Sequence, residues 1–115
     1  MRKFAFFVFN GDPMCFIHVL LNALDMNAKG HECRVIMEGA SVKLITELYR
    51  TDNPLNTLWS RTLEQGLLEG VCKACANKLG TLEEAKLRGL TLLDDMSGHP
   101  AMSGYRDQDF EIITF

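Results

Sequence analysis

The chain has 115 residues, 47% of them hydrophobic, and a formal charge of -3. That length predicts a single domain over 1–115 that buries about two thirds of its unfolded surface, enough for a core without disulfide staples. An acidic chain with no block of like charges lacks the cationic face that phosphate recognition needs, which argues against nucleic acid as a direct partner.

The run Phe4–Phe9 is continuously apolar and rich in aromatics, as expected of a parallel strand buried on both faces. Asn10-Gly11-Asp12-Pro13 is a sharp loop, with Asp12 placed to cap a helix and Pro13 suited to its first turn. That helix runs from about Met14 to Ala28 and stops before Gly30. Cys33–Met37 is a second strand, broken at Gly39. Ser41 is then expected to cap a helix over 42–49, and Leu55, Leu58, Trp59 and Leu63 repeat at helical spacing over 55–66. Residues 68–72 read as a third strand, Cys75–Leu79 as a short helix, and Thr81 with Glu84 as a capping box for a helix through about Arg88. Leu90–Leu93 is a fourth strand, 94–100 a loop, 100–107 a weak helix and Phe110–Phe115 a final strand.

Alternation of this kind predicts an α/β fold. The expected form is a three-layer sandwich with a mainly parallel, about five-stranded sheet and helices on both faces. Sites in such sheets form beyond the carboxyl ends of the strands, here in the loops 10–14, 38–41, 72–75 and 94–100. The apolar stretch at 4–9 is too short for a signal segment, and Cys15–Leu24 is interrupted by His18 and Asn22 and too short to span a bilayer. The expectation is a cytoplasmic protein, with no membrane partner and with reduced thiols. Four cysteines are then candidates for reactivity or metal binding.

Cys72-Lys73-Ala74-Cys75 is a C-x-x-C unit where the third strand gives way to a helix. Amide groups and the helix dipole at such a start favour a thiolate, and Lys73 can add positive charge. The pair suits attack on a sulfur donor, storage as a persulfide and resolution by the second thiol. Cys15 and His18 form a C-x-x-H unit in the first helical turn. An alternative set for zinc is therefore Cys15, His18, Cys72 and Cys75, against a reading with no cofactor. Cys33 is expected to be plain core. Asp95 and His99 are candidates for proton transfer, although turn and cap roles also account for such a loop. Asn10 and Asp12 have the same status. The glycine-rich phosphate cradles and the nucleophile-elbow serine motif are absent. The first helix carries Phe16, Ile17, Val19, Leu20, Leu21 and Leu24 on more than one face, which predicts a homo-oligomer contact there or burial under a loop.

Phe4–Phe9 with Asn10-Gly11-Asp12-Pro13, followed by Gly70-Val71-Cys72-Lys73-Ala74-Cys75 and Gly80, resembles the DsrE/DsrF-like group of small sulfur-handling proteins. The order of elements matches over nearly the whole chain. The resemblance implies a flavodoxin-like or similar parallel fold and trimeric or hexameric assembly. It also implies sulfur relay between donor and acceptor proteins, with Cys72 as the acceptor cysteine and Cys75 as a second thiol found in only some members. Cys15 lies outside that pattern. A non-catalytic assembly or regulatory protein with incidental thiols is the competing reading.

Overall fold

In the computed structural model, which describes residues 1–115, the aromatic run becomes β1 (Lys3–Val8). Ala5, Phe6, Phe7 and Val8 are all buried, as expected of a strand covered on both faces. β2 (Glu32–Met37), β3 (Leu68–Cys72), β4 (Leu92–Leu93) and β5 (Glu111–Thr114) join it in one sheet of order β4-β3-β2-β1-β5. Every pairing is parallel. The fold class is thus α/β as expected, although the order differs from the 2-1-3-4-5 of flavodoxin. Strands step outward from β1 to β4, and the chain then returns to add β5 on the far side of β1.

That route distributes the helices unequally. α1 (Pro13–Ala28), α2 (Ile45–Leu48), α3 (Asn56–Glu64), α4 (Lys73–Lys78) and α5 (Leu82–Leu87) follow the outward steps. Their apolar residues pack with Phe4, Phe6, Val8, Val35, Met37 and Val71 in the main core, around the fully buried Trp59. Only α6 (Met102–Asp107) belongs to the return crossing. Its Met102 and Tyr105 cover Ala5, Phe7, Ile36 and Phe110 from the opposite face. Polar groups complete that thin layer. Arg34 pairs with Glu32 and Glu69 at 2.8 and 3.2 Å, and the Tyr105 hydroxyl donates to Glu69 at 2.8 Å.

α1 begins as the loop chemistry dictates, with Asp12 accepting from the Met14 amide at 2.8 Å. It buries one face through Phe16, Val19, Leu20, Ala23 and Leu24, while Met14 and Leu21 stay exposed. Two expected caps take other roles. Ser41 and Thr81 are buried, and each hydroxyl donates to a carbonyl from another segment: Ser41 to Val8 at 2.7 Å and Thr81 to Val42 at 3.0 Å. Both carbonyls already accept a backbone amide, Val8 from Glu38 and Val42 from Ile45, so it is the buried hydroxyls, costly to leave without a partner, that take these long-range bonds in place of local capping. The expected 42–49 helix is a 3-10 turn over Gly39–Leu44 leading into one turn of α-helix. β4 is shorter than expected, although the Thr91 carbonyl still accepts from the Val71 amide at 2.9 Å. No helix is long and apolar enough to cross a membrane.

Candidate functional site

β3 ends at Cys72, and α4 starts at Lys73, two residues earlier than its sequence pattern suggests. Cys72 is therefore the cap residue of the helix. Its Sγ accepts from the Cys75 amide at 3.4 Å. The C-x-x-C spacing produces this contact directly, because an N-cap acceptor reaches the amide three residues on. The same spacing brings the Cys75 side chain round to the Cys72 sulfur.

The third member comes from the loop after β4. His99 Nδ1 lies 3.1 Å from Cys72 Sγ and 3.7 Å from Cys75 Sγ. Backbone bonds hold that loop. Met96 and His99 bond each other's main chain at 2.7 and 2.9 Å, and the Ala74 amide donates to the Gly98 carbonyl at 2.9 Å. Gly98 has φ +90, and a Cβ there would meet Ala74 Cβ at 3.2 Å. Only glycine satisfies both the left-handed backbone and the close approach to α4. Asp95 accepts from the Ala101 amide at 3.1 Å, bracing the same loop from its exposed side.

The fourth member, Glu38, follows β2 and was not among the residues singled out from the sequence. One ligand atom each from Glu38, Cys72, Cys75 and His99 lies within 4.8 Å of all the others. Glu38 is 7% exposed, and its carboxylate takes no hydrogen bond or ion pair. Glu38 and His99 also line a groove of about 470 Å³ with Phe9, Met96, Pro100 and Met102.

Exposure separates the two thiols. Cys72 is fully buried and Cys75 half-buried. Burial pushes the Cys72 thiol up to about 12, opposed by the Cys75 amide and reinforced by Cys75 and the Glu38 charge. Burial also raises the Glu38 carboxyl above its ordinary value, while His99 pulls it down. Cys72 is thus a protonated thiol at rest, with an imidazole nitrogen beside it to exchange the proton.

The remaining sequence candidates lie elsewhere. Cys15 is half-buried and His18 exposed on the first turns of α1, and neither belongs to the four-residue cluster. The set Cys15, His18, Cys72 and Cys75 is therefore not the one the fold gathers. α1 leaves from the end of β1, and its first turns pack over the α3 side, where Met14 and Ile17 face Pro54 and Leu55. Asn10 accepts from the Asp12 amide at 2.8 Å and Asp12 caps α1, so both have turn and cap duties. Lys73 is exposed and pairs with Asp94 at 3.7 Å, so its ammonium is engaged outside the cluster. Cys33 is core, with its thiol pushed up to about 12 by burial alone.

Fold and site together define a small parallel α/β protein with a thiol–imidazole cluster at the carboxyl edge of its sheet. The chain belongs to the family of the uncharacterized protein MJ0733 of Methanocaldococcus jannaschii. It is 32% identical to that protein over 111 residues, covering 96% of this chain and 88% of the relative. An uncharacterized protein of Archaeoglobus fulgidus is 42% identical over 38 residues, 33% of this chain and 62% of that protein. No family model matches the chain, and no solved structure matches it.

Proposed function

We propose that the protein is a sulfur carrier of the kind its DsrE/DsrF-like resemblance implies, relaying sulfane sulfur through Cys75 and Cys72. The observation that supports this most is the contact of Cys72 Sγ with His99 Nδ1 at 3.1 Å, with the half-buried Cys75 beside both. Exposure decides the order of steps. A donor persulfide meets Cys75, because Cys72 has no exposed surface. The Cys75 thiolate attacks the terminal sulfur of the donor, the donor thiolate leaves, and a Cys75 persulfide forms. Cys72 then passes its proton to His99 and attacks that same terminal sulfur. The sulfur moves to Cys72, and Cys75 returns as a thiolate. A persulfide on Cys72 is shielded from bulk oxidants and faces an imidazolium, which favours its anionic form. Delivery to an acceptor thiol reverses these steps.

Intact mass spectrometry of reduced, chelator-treated protein after exposure to a polysulfide donor tests the reading. The wild type and Cys72→Ser should each gain one sulfur atom, and Cys75→Ser none. A wild-type mass that does not change overturns the proposal. The assembly that the resemblance implies, a trimer or hexamer, is part of the same reading, and sedimentation of the full chain measures it.

A further inference from the structure

The four residues that converge at the carboxyl edge carry donor atoms that could share one ion. Two are thiols, one is an imidazole and one is a carboxyl, the donor types that bind Zn²⁺. Their separations fit one ion. Zinc bonds of about 2.3 Å to sulfur and 2.0 Å to nitrogen, held tetrahedrally, place those donors about 3.5 Å apart. His99 Nδ1 stands 3.1 Å from one sulfur and 3.7 Å from the other, on either side of that length. All four donor atoms lie within 4.8 Å of one another, so small rotations of the side chains close the set around a metal.

Two further observations favour a cation at this point. Glu38 is more than nine-tenths buried, with its carboxylate in the cluster and edging the groove beside His99, and no hydrogen bond or ion pair is made to it. Buried carboxylates are normally paired or bound to metal, and no lysine or arginine pairs with this one. The Cys75 amide donates to Cys72 Sγ, the kind of outer hydrogen bond that holds a coordinating sulfur in place. The soft thiols select zinc over magnesium or calcium, which take oxygen ligands.

We propose that Glu38, Cys72, Cys75 and His99 form a Zn²⁺ site, with the metal replacing the thiol protons of both cysteines. The site uses the sulfurs of the relay but does not depend on the relay being right. With zinc bound, neither sulfur is free to attack a donor, so the metal-loaded form is the closed form of the carrier.

Three measurements on the full chain test this. Reduced, metal-free protein is titrated with Zn²⁺ in competition with a chromophoric chelator, and with Co²⁺ for its absorption spectrum. Wild type should take one metal per chain, and the cobalt form should show sulfur-to-metal charge transfer. Glu38→Gln should weaken zinc binding at least about tenfold, and His99→Ala and Cys75→Ser more than that, because losing even an outer partner of a ligand costs about 10–100-fold. Cys15→Ser should leave it unchanged. Circular dichroism of each variant separates a lost ligand from a lost fold, and Glu38→Gln preserves side-chain volume. Sub-stoichiometric binding, a cobalt form without sulfur charge transfer, or equal affinity in wild type and Glu38→Gln overturns the proposal, as does weakening by Cys15→Ser. Zinc binding without sulfur loading of the metal-free protein removes only the relay. Sulfur loading without zinc binding removes only the metal site.

Discussion

Cys33 and Cys72 sit on neighbouring strands of the same sheet, and burial pushes both thiols up to about 12. Their surroundings nonetheless differ completely. Cys33 lies in the main core beside Phe4, its partner across the β1–β2 ladder, with burial as the sole cause of its shift. Cys72 ends its strand, caps a helix and touches an imidazole, a second thiol and an amide. Burial alone makes a cysteine inert. Burial at a strand terminus, where loops from β2 and β4 converge, makes it one part of a polar cluster.

The largest expected effect exploits that difference. At pH 7.5 Cys33 should react with iodoacetamide about 10³-fold more slowly than an ordinary free thiol, which its raised pKa alone requires. Cys75 should be labelled first among the pair at the carboxyl edge. Mass-spectrometric mapping over a time course measures both, and early labelling of Cys33 would break the contrast.

A second test moves the loop without touching a functional side chain. Gly98→Ala forces a Cβ onto a left-handed backbone against Ala74. The cost is about 1–2 kcal/mol, or roughly 5 °C in Tm for a domain of this size. His99 should be displaced with the loop, so transfer of the sulfur from Cys75 to Cys72 should slow while the labelling of Cys33 stays as it was. Unchanged transfer would separate the loop from the site.

Tyr105→Phe probes the opposite face of the sheet. It removes the hydroxyl bond to Glu69 and should cost about 1 kcal/mol in denaturant unfolding. Arg34 remains on Glu69, and sulfur loading should be unaffected. A loss of loading would show that the two faces are coupled.

The smallest effect concerns pH. Burial raises both Tyr49 and Tyr105 above 10.0. A phenol whose pKa is raised on folding adds stability below its unfolded value, and that stability is lost as pH climbs through the folded value. Native protein at pH 10 should therefore show little tyrosinate absorbance, and stability should fall above that pH. Half-ionised tyrosines in native protein at pH 10 would contradict the burial described.

The strands and the C-x-x-C unit were legible in the sequence because their signals are local. An unbroken aromatic run marks β1, and a three-residue spacing at a strand end puts Cys72 and Cys75 together. His99 and Asp95 were legible as a loop, but the separation of 27 positions between Cys72 and His99 carries no periodicity that reports contact. Glu38 was missed although the loop 38–41 was expected at the carboxyl edge. Its one signal, an ionisable residue directly after a buried strand, is also what a solvated strand end looks like. Cys15 and His18 had ligand spacing, but spacing along a helix does not say which neighbour the helix faces. Ser41 and Thr81 carried correct local cap chemistry and lost to carbonyls brought up from distant segments.

The relay is tested most directly by locating the added sulfur. Wild-type protein, reduced and freed of metal, is loaded with polysulfide, alkylated and mapped by tandem mass spectrometry. The sulfur should be found on Cys72, and Cys75→Ser should prevent it from arriving there. An added sulfur confined to Cys15 or Cys33, or loading of Cys72 that proceeds equally well without Cys75, would contradict it.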